Sequence, residues 1–365
     1  MRNAREGLHY DRRMQDDLEL ARSLPKVLLH EHLDGGLRVA TLFELLAERG
    51  LPTPAPDAAR LAQWFDARAH AGSLTEYLRG FALTVGAMAS PAALERVAFE
   101  AAEDAREDGC VLGEFRIAPL LFEAHGLRSE GVVEALLAGL ARSPLPSGLI
   151  VCAMRHLSVD ETMRAARLAL AYRDKGVVGF DLAGAELGHP PAEHRIALDL
   201  CRDGGIALSL HAGEADAAER VVEAGRLGAR RIGHGVRLAD ALGDPARAML
   251  VDEVRELGVH LEVCPTSNLH TGAATSLHTH PITALWRAGV SLSFHTDNRL
   301  MSRLTHSAEA LSLLQNTPLS LADLYAMSRA ALEHSFLDES ARAPARLALQ
   351  RWGESAGLAS PCAPQ

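Results

Sequence analysis

Lysine is almost missing from this chain. Of its 37 basic residues only Lys26 and Lys175 are lysines, the rest being arginine. The basic residues are outnumbered by 47 acidic ones, giving a net charge of −10, and they form no stripe. That excludes a surface built for nucleic acid. No apolar run is long enough to cross a bilayer, and 48% hydrophobic residues suit a soluble globular chain. The first 25 residues are polar and charged with no apolar core, so no secretory signal is read there. The five cysteines, Cys110, Cys152, Cys201, Cys264 and Cys362, are odd in number, scattered and without a C-x-x-C pair. Reduced thiols in a cytoplasmic protein follow from that pattern. Cys264 precedes Pro265 with no base beside it, and no G-x-S-x-G is present, so neither thiol nor serine nucleophile is indicated.

What is present is a repeated alternation. Short apolar runs recur at 26–32, Val111–Ile117, Gly148–Met154, Val177–Leu182, Ile206–His211, Arg231–Gly235, Val259–Cys264 and Val290–Thr296. Amphipathic stretches such as 129–142, 159–174, 191–203, 215–227 and 245–257 lie between them. Gly176, Gly205, Gly258 and Gly289 stand just before strands, where a helix C-terminal stop belongs. Eight strands separated by helices in 365 residues predict an α/β fold of the (β/α)8 TIM-barrel type. A doubly wound sheet is the alternative, but it would scatter the strand ends along an open edge. Residues 37–108 read as extra helices between strands one and two. A capping box at Ser73-Leu-Thr-Glu76 and an N-cap at Ser90-Pro91 support this. The domain organisation follows: 1–24 a polar extension, 25–353 a single barrel, 354–365 a flexible tail.

In such a barrel all strand C-termini meet at one mouth, where active sites are built. The first strand ends in His30-Glu-His32, and residues two apart in a strand share a face. The fourth ends in Asp181-Leu-Ala-Gly184-Ala-Glu186, the fifth in His211-Ala-Gly-Glu214, the sixth in Gly233-His234-Gly235. The seventh gives Glu262-Val-Cys264-Pro265-Thr-Ser-Asn268 and the eighth His295-Thr296-Asp297-Asn298. Any one polar end is ordinary; six in register are not. Three histidines and a carboxylate with a position left for water make a catalytic metal site. His30, His32, His211 and Asp297 are therefore assigned to one metal ion. Related barrel hydrolases hold two metals through a carbamylated lysine on strand four. Lys26 stands at the very start of the first strand and Lys175 before the fourth, both at the opposite end, so a mononuclear site is expected. His278-Thr-His280 reads instead as loop, with His280 capping the next helix. Trp64, Phe65, Tyr77 and Phe81 read as core, some of them available to roof the pocket.

The ordered set His30-Glu-His32-Leu-Asp34-Gly35, Asp181-Leu-Ala-Gly184, His211-Ala-Gly-Glu214, Gly233-His234-Gly235, Cys264-Pro-Thr-Ser-Asn268 and Thr296-Asp297 resembles that of the adenosine deaminases, from about residue 24 to 335. The resemblance implies a (β/α)8 barrel and one Zn2+ per chain. It implies a zinc-bound hydroxide attacking purine C6 while Glu214 protonates N1, converting adenosine, and 2′-deoxyadenosine, to inosine and ammonia. His234 would orient the hydroxide. Gly184 would donate its backbone N–H to purine N3, and His32 and Asp34 would border the ribose, Asp34 at the 5′-hydroxyl. The pattern is unlike the small cytidine-type deaminases, whose H-x-E…P-C-x-x-C is absent.

Two positions depart from the family. Where it commonly has Asn-Thr-Asp-Asp, this chain has His295-Thr296-Asp297-Asn298. Asn298 occupies the position that would face purine N7, and the place of His295 is left open. Adenine and aminodeoxyfutalosine deaminases share such a centre, but Asp34 favours a nucleoside, and no basic cluster accompanies the motifs to suit AMP. A cyclic amidohydrolase would need no acid aimed at a ring nitrogen, so Glu214 argues against it. A non-catalytic binding protein would have lost a ligand or the acid, and neither is missing. The partner is thus a small purine nucleoside, with no nucleic acid and no membrane; the oligomeric state is left open.

Overall fold

The computed structural model describes residues 17–69 and 74–358. Ser73 of the expected capping box, the Tyr77 side chain and Cys362 lie outside the described residues. Eight strands form one sheet: β1 Lys26–His32, β2 Cys110–Ile117, β3 Ser147–Met154, β4 Val177–Ala183, β5 Ala207–Ala212, β6 Ala229–His234, β7 His260–Val263 and β8 Leu292–Phe294. They pair in sequence order, every pair parallel. A parallel bridge between Glu31 and Asp297 joins the first strand to the chain just past the last. Its hydrogen bonds, His32 N–H to Asp297 C=O at 2.7 Å and Asp297 N–H to His30 C=O at 3.0 Å, close the barrel.

The strands sit where the apolar runs predict, and the two that are shorter than expected have local reasons. β7 stops at Val263 because Pro265, two residues on, opens a helix and has no N–H for the ladder. The ladder beyond β8 ends as Asp297 takes a left-handed φ of 62°. Gly176, Gly205, Gly258 and Gly289 all have positive φ, as helix stops require. Helices Val39–Glu48, Ala58–Ala69, Leu74–Met88 and Pro91–Glu107 fill the segment between β1 and β2. Ser90 caps the last of these, accepting from Ala93 N–H. Phe65 is buried in the core, whereas Phe81 lines the cavity at the barrel mouth.

Residues 17–23 are helical, and Ala21 and Leu24 are fully buried. Lys26 donates from Nζ to the carbonyls of Ala21 (3.1 Å) and Leu24 (2.8 Å), and Lys175 lies over the Tyr172 ring. Neither lysine reaches the mouth that holds the strand C-termini. No described helix is long and apolar enough to cross a membrane.

Candidate active site and metal centre

Four strand ends bring their polar side chains to one point. One ligand atom each from His30, His211, His234 and Asp297 lie within 4.8 Å of one another. His32 joins them: its Nε2 is 3.3 Å from His211 Nε2 and 3.5 Å from Asp297 Oδ1. His30 Nε2 stands 3.2 Å from the same Asp297 oxygen. All four residues assigned to the metal from sequence are therefore together, with His234 beside them.

The far side of each ring explains which nitrogen is free. His30 Nδ1 is 2.9 Å from Glu262 Oε2, and His211 Nδ1 is 2.9 Å from Asp181 Oδ2. A carboxylate facing Nδ1 accepts a hydrogen bond from Nδ1–H, which leaves Nε2 with a lone pair aimed at the cluster. Burial alone would push both carboxyls up, but their charged partners hold both well below the usual range. For Glu262 those partners are Arg116 and Arg231; for Asp181 they are His211 and Arg116. Asp297 accepts from Ser267 Oγ at 2.5 Å through Oδ2, which keeps Oδ1 for the histidines. His30 Nε2 is fully buried, and the nearest polar atom given for it among the described residues is the Asp297 oxygen. Buried lone pairs converging without a proton between them are costly, and a cation relieves that cost. Imidazole nitrogens with one carboxylate oxygen fit a zinc-type ion.

His234 and Asp297 share another feature. Both have positive φ, 65° and 62°, although neither is glycine. Such backbones cost energy and persist only where the surroundings enforce them. The glycines around the site make room at close quarters. A Cβ on Gly233 would lie 2.9 Å from His30 Cε1, and one on Gly35 would overlap the Asn298 amide.

Glu214 lies on the wall of the adjoining cavity. Its Oε1 accepts from Thr271 Oγ1 at 2.8 Å and from Asn268 Nδ2 at 3.3 Å, and its Oε2 is 3.6 Å from His234 Nε2. The turn that presents it is pinned from behind. The buried Glu186 accepts four consecutive backbone N–H groups: Gly213 through Oε1 (2.5 Å), then Glu214 (3.0 Å), Ala215 (2.7 Å) and Asp216 (3.1 Å) through Oε2. Burial would raise the Glu186 carboxyl, yet those N–H groups and Arg155 hold it below the ordinary value.

The expected substrate residues His32, Asp34, Gly184 and Asn298 all line that cavity, with Leu121 and Met154. Asp34 Oδ1 and Asn298 Oδ1 are buried there without a hydrogen-bond partner among the described residues. Burial raises the Asp34 carboxyl to about 7. His295 does not join: its Nδ1 accepts from Leu29 N–H at 3.2 Å and its Nε2 meets Ser293 Oγ at 2.7 Å. His280 caps its helix, its Nδ1 accepting from Ile282 N–H at 3.1 Å. Burial holds the Cys264 thiol well above its ordinary value, so it is no nucleophile.

Sequence reasoning passed over Arg116, Asp181, Glu262, Glu186 and Thr271 as working parts. Asp181, Glu186 and Glu262 stood inside quoted motifs without a role. Arg116 carried a faint signal, a lone positive charge in an otherwise apolar strand end.

A family model described as "Adenosine deaminase" matches residues 25–349. An adenosine deaminase of Mycobacterium avium is 41% identical over 341 residues, covering 88% of this chain and 93% of that one. The chain belongs to the adenosine deaminase family. Members are hydrolases acting on carbon–nitrogen bonds. Among solved structures, the N6-methyl-AMP deaminase of Arabidopsis thaliana superposes with a TM-score of 0.79 at 25% identity, covering 93% of this chain and 99% of that one. A zinc-bound amidohydrolase from Burkholderia ambifaria gives a TM-score of 0.81 at 23% identity, covering 93% of this chain and 94% of that one; at this identity the likeness speaks to fold.

Glu186→Gln tests the pinning of the Glu214 turn. An amide offers one acceptor oxygen where the carboxylate offers two, so part of the four-donor clamp is lost. Charge-assisted hydrogen bonds contribute roughly 1.5–3 kcal/mol, so kcat should fall by about 10- to 100-fold with the thermal fold signal retained. Unchanged kcat would show that the clamp does not position Glu214.

Proposed function

We propose that the protein hydrolyses adenosine and 2′-deoxyadenosine to the corresponding inosines and ammonia, using one divalent ion held by His30, His32, His211 and Asp297. Zinc suits the donor set, and bound there it supplies a Lewis acid that brings the pKa of water towards neutrality. The observation that carries the proposal is Glu214: a carboxyl group beside the nest, tied by two donors on Oε1 and open on Oε2.

The net reaction adds water at purine C6 and expels ammonia from it. Addition breaks the aromaticity of the ring, and the cost falls if N1 receives a proton as negative charge gathers there. Glu214 Oε2 is the oxygen free to deliver that proton. His234 flanks the same oxygen and orients the attacking water. Gly184, with a φ of 91°, presents its backbone N–H to purine N3. Asp34 takes the ribose 5′-hydroxyl on its unpartnered oxygen, and His32 borders the sugar. A hydroxyl can donate to that carboxyl in either protonation state.

Asn298 reads N7. This ring nitrogen has a lone pair and no proton, so its partner must donate. A carboxylate donates only when protonated, whereas an amide donates at any pH once its NH2 is turned inward. Among the described residues nothing donates to the buried Asn298 Oδ1, so no partner there ties that oxygen to one orientation. None of the described residues lining the cavity is arginine or lysine, which favours a nucleoside over a nucleotide. The four described cysteines are buried and unpaired, in keeping with a cytoplasmic enzyme.

Two measurements test this reading. Glu214→Gln keeps shape and should keep about one metal ion per chain by elemental analysis, while turnover falls by ~10²–10⁴, the range of general acid–base catalysis. KM should change far less. Near-normal turnover in this variant would remove Glu214 as the acid. For Asn298, kcat/KM on 7-deazaadenosine should fall relative to adenosine by the cost of one unsatisfied hydrogen bond, roughly 1–3 kcal/mol. Equal efficiency on both would show that Asn298 does not read the base.

A further inference from the structure

His280 lies in the loop before the helix Ile282–Arg287 and touches neither the cavity nor the metal nest. It nevertheless begins a directed chain of hydrogen bonds. The first donor is a backbone N–H, that of Ile282, which cannot reverse its role and points at His280 Nδ1 from 3.1 Å. Nδ1 is therefore an acceptor. Burial lowers the ring's pKa to about 4, so it is neutral and its single proton sits on Nε2. Nε2–H meets Asn268 Oδ1 at 3.3 Å.

That contact removes the ordinary ambiguity of an asparagine amide, whose oxygen and nitrogen are assigned from their neighbours. Asn268 is fully buried, and with Oδ1 committed to His280 its NH2 must face the other way. Two acceptors wait there: Glu214 Oε1 at 3.3 Å and His234 Nδ1 at 3.1 Å. An NH2 group has two protons, one for each. His234 Nδ1 is then an acceptor, and in the neutral ring the proton sits on Nε2.

We infer that His280 is a positioning residue that, through Asn268, fixes the tautomer of His234 and the working oxygen of Glu214. The consequence for the site is specific. His30 and His211 turn Nδ1–H to carboxylates and keep an Nε2 lone pair, whereas His234 has the opposite tautomer. His234 is the member of the close cluster that donates a hydrogen bond in place of ligating. It also follows that Glu214 Oε1, already accepting from Thr271 and Asn268, stays the acceptor oxygen, leaving Oε2 to carry the proton. The inference rests on Glu214 being the acid only in this last step; the tautomer of His234 stands apart from it.

The test reads the tautomer directly. Long-range 1H–15N correlation spectra of the zinc-loaded enzyme, with His234 assigned by loss of its signals in His234→Asn, should show His234 protonated at Nε2. His280→Phe keeps the ring volume but removes both contacts. It should leave His234 a mixture of tautomers and lower kcat by about tenfold, the equivalent of one hydrogen bond, with KM little changed. His280→Gln returns a donor to Asn268 and should restore most of kcat. Asn268→Asp replaces the NH2 with an acceptor and should move His234 to the Nδ1–H form, a result that decides the matter even if His280→Phe does not fold. An Nδ1–H His234 in the wild-type enzyme would overturn the inference, as would a His280→Phe enzyme with wild-type kcat and an unchanged His234 spectrum. Should Glu214→Gln keep turnover while His234 shows Nε2–H, the acid assignment fails and the relay survives.

Discussion

Arg116 is the centre on which the site depends. It lies fully buried inside the barrel, with Nη1 2.8 Å from Asp181 and Nη2 2.6 Å from Glu262. Each of those carboxylates then faces the Nδ1 of one histidine, His211 or His30. Burying these charges is expensive, and removing one partner from such a set costs more than the set contributes. The arrangement makes sense as orientation more than as stability. An arginine fork with two fixed directions sets two carboxylates, and they set two imidazoles. Arg231 completes the balance, reaching Glu262 at 2.5 Å and Glu114 at 2.7 Å. The barrel provides what this network needs: β2, β4, β6 and β7 aim alternate side chains into one closed interior.

Above that layer the loops keep the same logic. Asp297 and His234 sit on left-handed backbones, which re-aim their side chains just where the strands end. Glu186 gathers four N–H groups and so fixes the turn that presents Glu214. Strain and buried charge are thus concentrated at one mouth. A fold selected for stability alone would not place them there.

The barrel and the nest were legible because both rest on short-range rules. Strands announce themselves as apolar runs, and parallel order places every motif at the same mouth, so His30, His32, His211 and Asp297 could be joined without coordinates. The side chains behind them were not legible in the same way. Glu262 and Asp181 act through pairings across strands far apart in sequence, and nothing local marks a carboxylate as facing an imidazole. Nothing near Arg116 in the sequence says that it points inward; that follows only from the pairing of β2 with its neighbours. His280 looked like a helix cap and is one; its second nitrogen gains meaning only from Asn268, twelve residues earlier in the chain. His295 was undecidable from sequence because its direction depends on where the ladder ends.

The family membership and the cavity leave the choice among 6-aminopurines as the central claim. Initial rates on adenosine, 2′-deoxyadenosine, adenine and AMP, followed side by side by ultraviolet absorbance with the zinc-loaded enzyme, test it most directly. The account predicts that kcat/KM for the two nucleosides exceeds that for adenine, which offers Asp34 no hydroxyl, and for AMP, whose phosphate meets no described cation in the cavity. More efficient turnover of adenine or AMP than of adenosine would contradict it.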